Sequence, residues 1–164
     1  MKNHIRAAAT QTQVSTSQQD IQKTLARYGA VGFGFSTDYE HQTIHIRFEV
    51  PRTDAPKERL KVEIPLSIKA VYKRLNAGKN VTSSQVKGKM EQAERVAWRQ
   101  LHLFVEAGLA AVAVGLQSIE DAFMAHTMVT DSDGREGRLA DYLATMRTIG
   151  QGQLPALPAP KVAK

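Results

Sequence analysis

Polar and apolar positions alternate most regularly from Thr43 to Val50, where Ile44, Ile46, Phe48 and Val50 interleave with Thr43, His45, Arg47 and Glu49. A period of two places one set on each face of a strand. The period returns at residues 59–64, with Leu60, Val62 and Ile64 inward and Arg59, Lys61 and Glu63 outward. Upstream, "AVGFGF" sets Val31, Phe33 and Phe35 on one face and Gly32 and Gly34 on the other, where bare backbone permits close approach by another element. The links "STDYEHQ" and "RTDAPKE" are short and polar. The three strands are therefore expected to form an antiparallel meander with one apolar and one polar face.

Helical spacing brackets this meander. Ser17 followed by Asp20 resembles a capping box, and Ile21, Leu25 and Tyr28 recur at steps of three and four before Gly29 supplies a stop. Beyond the strands, Ile68, Val71, Tyr72 and Leu75 suggest a helical turn, followed by a loop rich in Lys, Asn and Gly that is expected to be mobile. From about Ser84 a helical pattern runs through Met90, Ala93, Ala97, Leu101, Phe104 and Val112 to Ile119 and Phe123 without a proline. Some 40 residues would span roughly 60 Å, so this helix is expected either to break, near Gly108 or Gly115, or to project. After a turn in "TDSDGREGR", Leu139, Tyr142 and Leu143 anchor a short closing helix. The expected fold class is α+β: an N-terminal helix, a three-stranded antiparallel meander, a long C-terminal helix packed on the sheet, and the short closing helix.

The length of 164 residues and the 42% hydrophobic content suit one domain with its own core. We place that domain at residues 17–147, between a disordered polar arm at 1–16 and a flexible, proline-punctuated tail at 148–164. The absence of cysteine removes disulfides, thiol nucleophiles and thiolate metal sites, and fits a reducing cytoplasm. The first residues lack the apolar stretch of a secretory signal, and the longest apolar run, "AGLAAVAVGL", is about half of what a membrane span needs. No membrane association is expected.

Charge is uneven along the chain. Of the net +6, residues 52–99 contribute +7 (twelve Lys/Arg, five Asp/Glu), residues 1–51 contribute +1 and residues 100–164 contribute −2. A concentrated positive segment points to a polyanion, with a lysine-rich solvated surface as the simpler alternative. The candidate nucleic-acid contacts are Arg47, Arg59 and Lys61 on the polar sheet face, Lys69, Lys73, Arg74 and Lys79 after it, and Lys87, Lys89, Arg95 and Arg99 along the long helix. Tyr72 is the candidate stacking ring. With the helix under the sheet, these would border one basic groove.

From Leu101 to Leu116 the long helix has two polar residues, His102 and Glu106. A helix apolar on nearly all sides is buried on nearly all sides, so self-association is expected through Leu103, Ala107, Ala110 and Val114, making the protein a homo-oligomer. The first helix and the C-terminal segment covering that face within one chain is the alternative. Trp98, the single tryptophan, projects toward the apolar side, with Arg95 and Arg99 further round. It is expected at the core boundary with its N–H bonded to a polar partner.

Catalytic and metal motifs do not assemble. In "DSDGREG" the glycine is at position four instead of six and no closing carboxylate follows at Tyr142, so this is a turn and not a calcium loop. His41 and His45, four apart, would share a strand face but lack further ligands; His102 is a boundary histidine, and His126 sits where a helix end favours a cation. Glu91 is spaced to pair with Arg95 along the helix. No Gly-x-Ser-x-Gly elbow occurs, and "GFG" is not followed by a phosphate-loop helix. No catalytic residue, metal or cofactor is assigned, and a non-enzymatic protein is expected.

"SQQDIQKTLARYGAVGFGF", "ERVAWRQLHLFVEAGLAAVAVGLQSIEDAFMAH" and "DGREGRLADYL" together resemble a family of small phage and prophage proteins. Its pattern is an Arg-Tyr-Gly-Ala helix end, a Trp-Arg-x-Leu helix and an Asp-Gly-Arg turn before Leu. The likeness covers most of residues 17–143; the chain differs in "SDGREGR" and in the longer stretch from Pro65 to Ser84. It implies a mobile-element origin and an intracellular setting, the cytoplasm of a bacterial host cell, and carries over no catalytic residue. More loosely, a helix, a three-stranded meander and a long helix resemble the core of phage-type single-strand annealing proteins. The resulting expectation is a non-enzymatic phage accessory protein that binds nucleic acid, single-stranded DNA foremost, in replication or recombination. The alternatives are a protein-interaction or counter-defence adaptor docking through the long helix, and a small enzyme or ligand-sequestering protein with a pocket between protomers.

Overall fold

The computed structural model describes residue 5, residues 7–131 and residues 133–149, with side chains characterised as far as Met146. The fold is α+β, with a long helix packed on a three-stranded antiparallel sheet. Helix α1 (Val14–Arg27) leads into strands β1 (Gly32–Asp38), β2 (Thr43–Pro51) and β3 (Arg59–Ser67), then α2 (Ile68–Leu75) and α3 (Val86–Ala113). A short α4 (Ile119–Phe123), the hairpin strands β4 (Met128–Thr130) and β5 (Glu136–Arg138), and α5 (Leu139–Ile149) complete it.

The alternating pattern sets the sheet register. Ile44 stands opposite Leu66, Ile46 opposite Ile64, Phe48 opposite Val62 and Val50 opposite Leu60. All of these except Leu66 are buried, and they meet Ile21 and Leu25 of α1 and Ala93, Ala97, Leu101, Val105 and Leu109 of α3. Fully burying such a side chain is worth about 1.5–3 kcal/mol, so this one interface dominates the fold.

Two glycines end helices as the sequence suggests. At Gly29 (φ +79), Ala30 N–H donates to Leu25 O and Gly29 N–H to Ala26 O; at Gly115 (φ +73), Leu116 N–H donates to Ala111 O and Gly115 N–H to Val112 O. Both are Schellman endings, which need the left-handed conformation that glycine adopts without strain. The break at Gly115 gives α3 28 residues instead of some 40, and α4 restarts after Ser118, whose Oγ accepts from Asp121 N–H. Phe123 then folds back beneath α3, with its ring edge-on to Phe48 at 5.3 Å. A Cβ at Gly108 would meet that ring at 3.1 Å, so a bare backbone is what lets α4 pack this closely.

Several expectations need correction. Helix α1 begins one turn early, at Val14, with no side-chain cap; Ser17 is buried inside it and Asp20 pairs with Arg99 instead of forming a capping box. The early start lets Val14 pack against the core. Part of the expected disordered arm is ordered: Gln92 Nε2 donates to Ala8 O (3.1 Å) and Thr10 O (3.0 Å), and Ile5 rests on the core. Residues 1–4, 6 and 150–164, which include most of the expected tail, lie outside the described residues. Trp98 is fully buried, edge-on to Phe35, and its Nε1 has no partner among the described residues. Arg95 donates to Gln92 Oε1 and not to Glu91. His41 precedes β2 and pairs with Asp38, so it shares no strand face with His45.

Candidate nucleic-acid interface

The eleven expected cationic contacts do not border one groove, because α3 packs on the sheet face opposite to Arg47, Arg59 and Lys61. They divide into three sets.

On the outer sheet face, Arg47 lies beside Glu63 in register and donates from Nε to Glu63 Oε2 at 2.7 Å. His45 Nδ1 donates to the other carboxylate oxygen at 2.8 Å. Glu63, expected to face solvent, is 8% exposed. Burial pushes its carboxyl up, but the bonds from Arg47 and His45 together hold it below the ordinary value. Lys61 approaches Glu136 of β5 at 3.5 Å. A trough of about 500 Å³ over bare Gly32 and Gly34 is lined by Arg47 and Lys61 but also by Glu49, Glu63 and Glu136. Three carboxylates against two cations do not make a polyanion site.

The second set, Arg95 and Arg99, is half-buried along α3. Arg95 is held by Gln92. Arg99 Nη1 lies 3.5 Å from Asp20 of α1 and donates to His102 Nδ1 at 2.9 Å. Arg99 thus ties α3 to α1, and Arg95 bonds within α3.

The third set gathers. Residues 68–90 contain six cations, Lys69, Lys73, Arg74, Lys79, Lys87 and Lys89, and no carboxylate. Removing them from the 22 Lys/Arg leaves 16 against 16 Asp/Glu, so the entire net charge of the chain resides here. All six are exposed, and none has an ion-pair partner among the described residues. Local chemistry holds the segment. Ser67 Oγ caps α2 by accepting from Ala70 N–H, while Lys79 Nζ and Asn76 Nδ2 donate to the last carbonyls, Leu75 O and Tyr72 O. A capping box between Thr82 and Gln85 starts the next helical turn.

Arg74, Lys79 and Lys89 line a cleft of about 380 Å³ between the end of α2 and the start of α3. Asn76 and Gln92 add amide groups, and Leu75 with Ile5, Ala8 and Ala9 of the N-terminal arm adds an apolar wall. Gln92 and the arm escaped sequence reasoning, since one glutamine and two alanines in a polar stretch carry no periodic signal. Tyr72 is half-buried against the core and does not stand free as a stacking platform.

At the other end of α3, Leu103 is half-buried, Ala107 and Ala110 are exposed, and Val114 is 72% exposed. The residues expected at an oligomer interface thus form an apolar stripe open to solvent. Beside it, Phe104, Met124, His126 and Leu143 line an apolar groove of about 580 Å³ between α3 and α5. No group of three or more potential metal-ligating side chains, and no helix long and apolar enough to cross a membrane, occurs among the described residues. Comparisons of this chain with family models, curated proteins and solved structures find no match.

Proposed function

We propose that this protein is a non-enzymatic, phage-type accessory protein that binds single-stranded DNA in replication or recombination, with the DNA backbone held at the cleft of Arg74, Lys79 and Lys89. The observation that carries this reading is the segregation of the whole net charge into residues 68–90, exposed, without carboxylates and centred on a cleft. Cations without an internal ion pair are free to release counterions from a phosphate backbone, which is the main source of non-specific affinity. A single strand suits the site better than a duplex, because its flexible backbone can bend into an opening between two helix ends. Self-association through Leu103, Ala107, Ala110 and Val114 belongs to the same reading, since several copies would align their clefts along one strand.

Fluorescence anisotropy with a labelled oligothymidine at 50 and 200 mM salt tests the reading. Affinity is expected to fall steeply between the two; micromolar or weaker binding that ignores salt would overturn it. A second reading, a protein-interaction or counter-defence adaptor, is favoured by the groove at Phe104, Met124 and Leu143, all at least 43% exposed. Retention of one specific protein, with no retention on single-stranded DNA resin, would select it.

A further inference from the structure

The core face of the sheet reaches β1 without being closed. Phe33 and Phe35 pair in register with Phe48 and Ile46 and so stand on the buried face, yet Phe35 is 49% exposed and Val31, just ahead of the strand, 60%. Phe35 meets the helical layer at the edge of Trp98, with ring centroids 5.3 Å apart, and its remaining surface faces solvent.

The two edges of the sheet differ. Alongside β3 runs the segment that bridges Val62 to Thr127 and continues into β4. Beside β1, among the described residues, β2 is the sole paired strand, so one row of its N–H and C=O groups lacks a strand partner. Edge strands are ordinarily protected by charge, proline or a covering segment. From Ala30 to Thr37, "AVGFGFST", there is neither charge nor proline. On the outer face nothing lies within 4 Å of a Cβ built at Gly32 or Gly34, so the strand carries little bulk on that side.

We propose that β1 pairs antiparallel with β1 of a second copy of this chain, joining two three-stranded sheets into one of six. What completes this edge must be an uncharged strand with apolar side chains on the helical side and little bulk on the other. β1 itself has that composition. A two-fold axis normal to the sheet brings the two strands together antiparallel and leaves both helical layers on the same side. Phe33 and Phe35 of each chain then continue the core of the other, and Val31 is covered at the strand end. The inference is independent of DNA binding and differs from self-association through α3.

Because the chain has no cysteine, single cysteines report the contact without ambiguity. Sedimentation of the full chain over a range of concentrations is expected to show a species of twice the 18.1 kDa chain mass. Phe35→Lys and Ser36→Pro, each added to Ala107→Glu so that contact through α3 is removed, are expected to return it to one chain mass while preserving circular dichroism, whereas Ala107→Glu alone leaves the β1 pairing intact. Cysteine placed singly at Gly34, Phe35 and Ser36 is expected to give an oxidised cross-link at the position nearest the axis, since opposed strand residues lie within disulfide reach. A chain monomeric at every concentration overturns the proposal. So does self-association of the Ala107→Glu chain that survives both β1 substitutions, or cross-linking at Ala107→Cys with none at the β1 positions.

Discussion

Replacing Arg74, Lys79 and Lys89 together by alanine removes three of the six unpaired cations of residues 68–90 and leaves the rest of the surface unchanged. For single strands the logarithm of affinity falls with the logarithm of salt at about 0.7 per neutralised phosphate. If each of the six cations neutralises one phosphate, the slope is about −4.2, and a fourfold rise in salt weakens binding about 300-fold. With three left, the slope is about −2.1 and the same step weakens binding about 20-fold. A matched control is Arg59→Ala with Lys61→Ala, on the opposite sheet face, where Lys61 already faces Glu136. Its slope is expected to stay within about 0.7 of the parent. Anisotropy titrations of oligothymidine at four salt concentrations measure all three slopes, and thermal melts confirm folding. Equal loss of slope in the two variants would refute the placement of the DNA, and a parent slope shallower than about −1 would refute the electrostatic reasoning altogether.

Three further variants test the fold. Glu63→Gln is expected to destabilise by about 1.5 kcal/mol at neutral pH, the scale of a hydrogen bond to a charged group. Because the folded carboxyl titrates below the unfolded value of 4.5, its contribution is complete above that value and is lost as the pH falls through the lower folded one. The difference in melting temperature between parent and variant should therefore be constant at pH 6–7 and shrink below about pH 4.5. In α3, Gly88→Ala, where nothing lies within 4 Å of the new Cβ, is expected to stabilise by about 0.5–1 kcal/mol. Gly115→Ala, at φ +73, is expected to destabilise by about 1–2 kcal/mol, and denaturant titration separates the two signs.

The meander was legible because Ile44 to Val50 and Leu60 to Ile64 keep a strict period of two, and a half-buried sheet leaves few other ways to place them. The endings at Gly29 and Gly115 were legible because the left-handed conformation has a residue signature. What stayed hidden depended on chain segments distant in sequence. Glu63 occupies an outward position in its strand, and its burial comes from Arg47, His45 and the hairpin beside β3. Trp98 read as a boundary residue because helical projection measures angle and not depth; Phe35, more than sixty residues earlier, closes over its edge. For the candidate site, the six cations of residues 68–90 were all named from the sequence. Their separation from Arg47, Arg59 and Lys61 required knowing which face of the sheet α3 covers. The proposed self-association and DNA binding would be surface properties, and periodicity constrains surfaces weakly.

The position of α3 along the chain also sets the order in which the protein becomes safe from misassociation. The meander is complete at Ser67, but its cover is complete at Ala113, 46 positions later. At about 5–20 residues per second, a nascent chain carries an assembled apolar sheet face without its principal cover for about 2–9 s. During that interval the bare β1 edge and the row from Ile44 to Val50 are open together, next to neighbouring nascent chains on the same message. Soluble yield in the cell then depends on how quickly α3 is translated and docks.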